Sequence, residues 1–494
     1  MTDGIALRYR RDEHEKRTKE IFEDLRNETR SSDDPEFFVR VEQINYSNRE
    51  DGSAESVELS VFYKKIHDYD KETTLADRND FTIRNNLTLR NYRPFFVSII
   101  VPIVDKRNLG FFLEMGYRWF PANIDSRRSE IPGDERRNVF DATLVCSASP
   151  FQMDRLKIRI MTGMGPFYFN GVDINDLIKA DYDEKLLNSC VASATDIEAE
   201  LDAAWRHSGY DYIDIYNVGH GNADYIVGGS KRILYDIGYQ YRKVPSLTKP
   251  LFPKATGSFA RLKPGLVVIS HWDSDHFMGC VYASDDVFDV NWIAPTLTSA
   301  ADKSFSLNAF RLAAFLKAIG KLMLIDRASG CGTFYNTDIY ADHVLVLKMG
   351  ESSKPETRNI TVRNREGLFI EIYGKEHGRE YVETVLAGDV PYNSMFGSLF
   401  SSPKLRFMHV PHHCSEMILD KLKTSMWTND FSHAIISTDK DKTGTSYNEN
   451  AAHRRELGKK FGTHVHYTIG DLSRNIDEIR AVRLRKDGSV QERV

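Results

Sequence analysis

The stretch "VVISHWDSDHFMGC", residues 267–280, passes from an apolar run into two histidines and two aspartates and closes on a small Gly-Cys pair. Side chains of these types in one turn either bind a metal ion or form a solvated charged loop. The spacing H-x-D-x-D-H directly after a buried strand favours metal. Alternate side chains of an extended segment point the same way, so His271, Asp273 and Asp275 can converge with His276 beside them. Two more apolar runs end in the same chemistry: Asp389 follows "VETVLAG", and His412 with His413 follows "FMHVP". Three strand ends of this kind can surround two ions roughly 3.5–4 Å apart, with a carboxylate between them. Two such cations acidify a shared water and neutralise charge on a phosphoryl or carbonyl oxygen, so no nucleophilic Ser or Cys is required.

The elements that must hold these residues read as an α/β layered domain. "YIDIYNV", "RILYDIG", "LVVIS", "HVLVLKM", "GLFIEIYG", "YVETVLAGD", "RFMHV" and "HAIIST" are apolar strands with polar clusters at their ends. Helical spacing appears at 307–320 and 448–462. Residues 35–165 instead alternate as β-strands punctuated by Gly, Pro, Asn and Asp, which predicts an antiparallel sheet or sandwich. A helical stretch at 181–207 serves as the connection. The expected division is therefore 1–207, a β-rich accessory region with a helical lead, and 208–494, the catalytic domain.

The order of motifs resembles the metallo-β-lactamase fold family, and within it the ComEC-like competence proteins and their soluble relatives. The resemblance lies in "NVGHGNADYIV", "ILYDIG", "SHWDSDHFMG", "LAGD", "VPHHCS" and "IISTDKDKTGTSYNENAAH", over residues 211 to about 475. His220 and Asn222 replace that subfamily's usual Gln and Asp, Cys414 replaces a Gly, and Arg454 a Pro. The resemblance implies an αββα sandwich. It implies one metal on His271 and Asp273, the other on Asp275, His276 and one of His412 or His413, with Asp389 bridging and Asp236 orienting the loop. Asp275, as a ligand, and His453, as a proton donor to the leaving group, are the candidate catalytic residues; a surface role is the alternative for His453. The family's remaining histidine has no counterpart, since His343 begins a strand and His377 sits in a charged turn. An oxygen-rich first site shifts preference from Zn²⁺ toward Mn²⁺ or Mg²⁺.

The totals bound the rest. A chain of 494 residues, 41% hydrophobic, has material for two cores. The five cysteines (146, 190, 280, 331 and 414) form no CxxC pair, which excludes a disulfide framework and a zinc ribbon. "PFFVSIIVPIV" is about half of a membrane span, and the charged first 30 residues lack a secretion signal, so a cytoplasmic protein without membrane contact is expected. Residues 1–210 hold 30 Lys+Arg against 38 Asp+Glu, which leaves 36 against 33 of the chain's 66 and 71. The mildly basic remainder suits a phosphate-bearing substrate. Phosphodiester hydrolysis of DNA is the leading expectation, with a regulatory protein docking on the N-terminal region. The alternatives are hydrolysis of a small molecule (cyclic nucleotide, thioester or lactone) and a non-catalytic scaffold.

Overall fold

A computed structural model describes Glu20 and residues 37–46, 54–63, 97–115, 118–125, 139–146, 154–161, 168–169, 172–173, 189–218, 221–238, 261–297, 306–327, 334–338, 341–351, 361–376, 379–395, 399–402, 404–427, 432–437, 450–468 and 481–493. In the N-terminal region six strands close into an antiparallel barrel: Phe37–Tyr46, Ala54–Tyr63, Val97–Pro102, Val139–Cys146, Asp154–Ile160 and Phe120–Asp125, in spatial order. The expected sheet or sandwich becomes a barrel because Phe38 and Val39 pair with Pro121 and Phe120, which joins the two edges.

The C-terminal region stacks two sheets. One runs Leu322–Ile325, Trp292–Pro295, Leu266–Val268, Lys231–Tyr235, Asp224–Gly228, Tyr212–Tyr216, Ala481–Arg485, Val490–Arg493. The other runs Phe334–Asn336, His343–Met349, Leu368–Glu376, Arg379–Leu386, Phe407–His409, His433–Ile436, Val465–Tyr467. Each sheet changes from antiparallel to parallel partway across, at Lys231–Tyr235 against Leu266–Val268 and at Arg379–Leu386 against Phe407–His409. Ile213, Ile233, Leu266 and Ile293 of one sheet meet Leu345, Ile370, Leu386 and Ile435 of the other in a shared core. The helix Ala451–Phe461 packs through Leu457 and Phe461 outside the second sheet. The result is αββα layering.

The helix Ala194–Ala204, opened by a Ser193–Asp196 capping box, buries Ile197, Leu201 and Ala204 in the core between the sheets. The helix Leu307–Ala318 is buried along every residue from Leu307 to Leu316. A sandwich's outer helix ordinarily wets one face; here the barrel covers it. Asn308 Oδ1 accepts from Val97 N at 3.2 Å, and its Nδ2 donates to Ser98 Oγ at 3.1 Å. On the barrel strand Ala54–Tyr63, Val57, Leu59 and Val61 alternate with buried Ser56, Glu58 and Ser60. Glu58 accepts from Ser274 Oγ at 3.5 Å, so the barrel touches the His-Asp loop itself. Among the described residues no helix is long and apolar enough to cross a membrane.

Candidate metal centre

The centre is assembled at the ends of four strands where both sheets turn parallel. Asp236 follows Lys231–Tyr235 in the left-handed region at φ 57° and is fully buried. One carboxylate oxygen accepts from Ser270 N at 2.7 Å; the other accepts from Ser270 Oγ and from His276 Nδ1, each at 2.8 Å. That bond fixes the proton of His276 on Nδ1 and turns the Nε2 lone pair toward the other ligands. Asp236→Asn keeps a residue that tolerates the positive φ but replaces an acceptor by a donor facing His276. Metal affinity is expected to fall about 10–100-fold, measured by competition with a chromophoric chelator. An unchanged affinity would make Asp236 a purely structural residue.

His276 Nε2 lies 3.2 Å from Asp389 Oδ1 and 3.9 Å from Asp275 Oδ1. His413 Nε2 lies 3.5 Å from Asp275 Oδ2 and 3.6 Å from Asp389 Oδ1. Ligands about 2.0–2.1 Å from a tetrahedral ion stand roughly 3.3 Å apart, so these four side chains have the span a metal needs. His276 Nε2 and Asp389 Oδ1 are both buried and, at 3.2 Å, neither has a hydrogen-bond partner of ordinary geometry. Buried polar atoms are rarely left so, and a cation between them accounts for it.

The electrostatics agree. Burial alone pushes the His276 imidazole down, but Asp389, Asp236 and Asp275 around it hold it well above its ordinary value. Burial alone would raise the Asp389 carboxyl, but His412 and His276 hold it well below the usual carboxylate range. Both groups favour positive charge at the same buried point. Groups formed by His271, His276 and Asp389, and by Asp275, His276 and His413, could each hold a metal ion.

The remaining expected ligands sit beside this set. His271 Nε2 is 3.1 Å from Asp273 Oδ2 and 3.7 Å from Asp389 Oδ2, and His412 Nε2 is 3.4 Å from Asp389 Oδ2. His412 and His413 thus face opposite oxygens of Asp389. Their turn makes this possible, because His412, His413 and Cys414 all take positive φ, at 46°, 53° and 63°. Cys414 is fully buried in an apolar cluster.

Other expectations resolve differently. His453, read as a proton donor, is buried, with Nδ1 against the Ser415 carbonyl at 3.0 Å and Nε2 against Tyr392 Oη at 2.9 Å. The carbonyl must be given the Nδ1 proton, so Nε2 accepts from the tyrosine and no N–H remains for a leaving group. Burial accordingly pushes the imidazole down to about 4. His343 is outside the cluster, paired with Glu383 at 3.4 Å. His377 and His220 lie outside the described residues.

Three features escaped the sequence. Arg363 Nη1 binds Asp273 Oδ1 at 2.9 Å with both side chains buried. Asn364 Nδ2 reaches Asp389 Oδ2 at 3.1 Å and His271 Nε2 at 3.2 Å. Beneath the centre, Asp224 Oδ2 meets His409 Nδ1 at 2.8 Å and His409 Nε2 meets Ser437 Oγ at 2.9 Å, a buried chain tying one sheet to the other.

Layers, strand ends and this cluster describe one architecture. The C-terminal region is an αββα sandwich with a His-Asp cluster at its strand ends. No family model and no curated protein sequence matches the chain. Among solved structures, the FEZ-1 metallo-β-lactamase from Legionella gormanii is similar at 12% identity and a TM-score of 0.21, over 40% of this chain and 66% of that one. The chain thus spans just under two thirds of that enzyme. YhfI from Bacillus subtilis, a metallo-β-lactamase fold protein, gives 10% identity and a TM-score of 0.28, over 52% of this chain and 96% of that one. A diphosphatase of the PhnP family gives 11% and 0.26, over 50% and 81%. Likeness this distant carries no weight for chemistry, which rests on the side chains above.

Proposed function

We propose that the protein is a metal-dependent hydrolase of phosphodiester bonds in DNA, related to the ComEC-like branch of the fold. The observation that carries the hydrolase reading is the buried approach of His276 Nε2 to Asp389 Oδ1, with Asp275 and His413 completing the span of a metal's ligands. DNA as substrate is supported by the motif order and by the mild excess of basic residues after residue 210. Divalent metal bound here supplies acidification of water and neutralisation of charge at the scissile group. The chain's own residues do the rest. Asp236 and Ser270 hold His276 in one tautomer and orientation. Burial of the carboxylates and imidazoles keeps bulk water away and strengthens every charge interaction among them. Asp275, pinned through its carbonyl by the Asn222 backbone at 3.2 Å, presents its carboxylate toward His413.

The test is cleavage of end-labelled single- and double-stranded DNA with Mn²⁺, Mg²⁺ or Zn²⁺ at two salt concentrations, with Asp275→Ala alongside. Cutting is expected to vanish with chelator, to drop about 10³-fold or more in the variant, and to weaken steeply with salt as phosphate contacts are screened. DNA left intact by protein carrying metal would remove the nucleic-acid reading and move the reaction to a small molecule.

A further inference from the structure

The two halves of Asp389 face unlike surroundings. Near Oδ1 stand His276 Nε2 and His413 Nε2, with the Asp275 carboxylate against His413. Near Oδ2 stand His271, itself against Asp273, and His412, and there the protein also brings donors of its own. Asn364 Nδ2 is within hydrogen-bond distance of both Asp389 Oδ2 and His271 Nε2, the lone pairs a second ion would use. The direction of that amide is fixed. Its Oδ1 accepts from Thr361 N at 2.7 Å and Thr361 Oγ1 at 2.6 Å in a capping box, so the NH₂ group must face the cluster. The neighbouring residue, Arg363, binds the Oδ1 of Asp273 and lends it one positive charge already.

We propose that the centre binds one divalent ion tightly, between His276, Asp275, His413 and Oδ1 of Asp389, and that Asn364 and Arg363 keep the neighbouring position from binding a second with comparable affinity. This departs from the two ions expected from the sequence and rests on the reading of the cluster as a metal centre. Seating an ion at the second position requires withdrawal of the Asn364 amide from two acceptors and places a divalent charge beside a buried guanidinium. The second affinity is therefore at least about 100-fold weaker. Residues 361–364 thus act as an internal occupant of the second position.

The experiment is a titration of the metal-free full-length chain with Mn²⁺ and with Zn²⁺, counting bound ions by native mass spectrometry and equilibrium dialysis. Wild type is expected to take one ion tightly and a second at least about 100-fold less tightly. Asn364→Asp still accepts from Thr361, so the cap persists, but it turns a donor into a ligand; this variant is expected to bind two ions tightly. Asp273→Asn is expected to keep the tight ion. Two ions of like affinity in wild type, one tight ion in Asn364→Asp, or loss of the tight ion in Asp273→Asn would each overturn the proposal. No bound ion at all in wild type would instead remove the metal reading beneath it.

Discussion

Asp389→Ala is expected to yield a folded chain that holds no metal and hydrolyses its substrate at least about 10³-fold more slowly, on the order of 4 kcal/mol of transition-state stabilisation. The size of the effect follows from position. Among the described residues, Asp389 is the one carboxylate within 3.7 Å of His271, His276, His412 and His413 alike. Its removal deletes a ligand and also the negative charge that balances a cation in a buried place. The imidazoles left behind can retain their other hydrogen bonds, as His276 does with Asp236, so the layers survive. Equilibrium dialysis and circular dichroism on the same preparation separate the two effects. Metal retained within a few-fold of wild-type affinity would show that Asp389 is no ligand.

Gly238→Ala is expected to be worse for the whole molecule, costing more than about 4 kcal/mol of stability or abolishing soluble expression. The cause is space rather than backbone angle. A Cβ at 238 would lie inside the van der Waals envelope of the Asp275 carbonyl oxygen and 2.6 Å from the Asn222 carbonyl oxygen. Both are backbone atoms in the seam that clamps the His-Asp loop. Asn222 N donates to Asp275 O at 3.2 Å, Ile237 N to His276 O at 2.9 Å and Gly279 N to Ile237 O at 2.7 Å. The loop would have to lift off its floor. Gly110→Ala is the control, since a Cβ there meets nothing within 4 Å inside the helix Lys106–Met115. It is expected to be neutral or stabilising by up to about 1 kcal/mol. Chemical denaturation of both variants checks the contrast; equal midpoints would mean that the loop yields freely.

The two variants also mark what a reader of the sequence can and cannot see. His271, Asp273, Asp275, His276 and Asp389 were legible because strand ends and short spacings encode proximity along the chain. Arg363 and Asn364 were not, because "TVRNREG" reads as an ordinary charged turn and its place beside Asp273 is set by strands distant in sequence. His412 and His413 were visible as a pair, but their opposed directions depend on successive left-handed residues with no glycine to announce them. His453 was visible as a histidine, while its two partners, Tyr392 and Ser415, lie far off in sequence and remove it from proton transfer. The barrel's strands were legible by alternation; its closure rests on a non-local pairing of two edges.

The return of the chain's last hairpin to the first sheet has a consequence for how the molecule comes into being. Asp214, buried, is bound by Arg483 Nε at 2.6 Å and Nη2 at 2.7 Å, and by Arg493 Nη1 at 2.7 Å. Asp214 and Arg483 stand 269 residues apart. Until that hairpin arrives, the strand Tyr212–Tyr216 has a bare edge and a carboxylate awaiting its guanidinium partners in a closing core. Closure over so long a loop is slow. During synthesis the first sheet therefore keeps an open edge until residues 481–493 have been made, and the strands that carry the His-Asp cluster are locked together late.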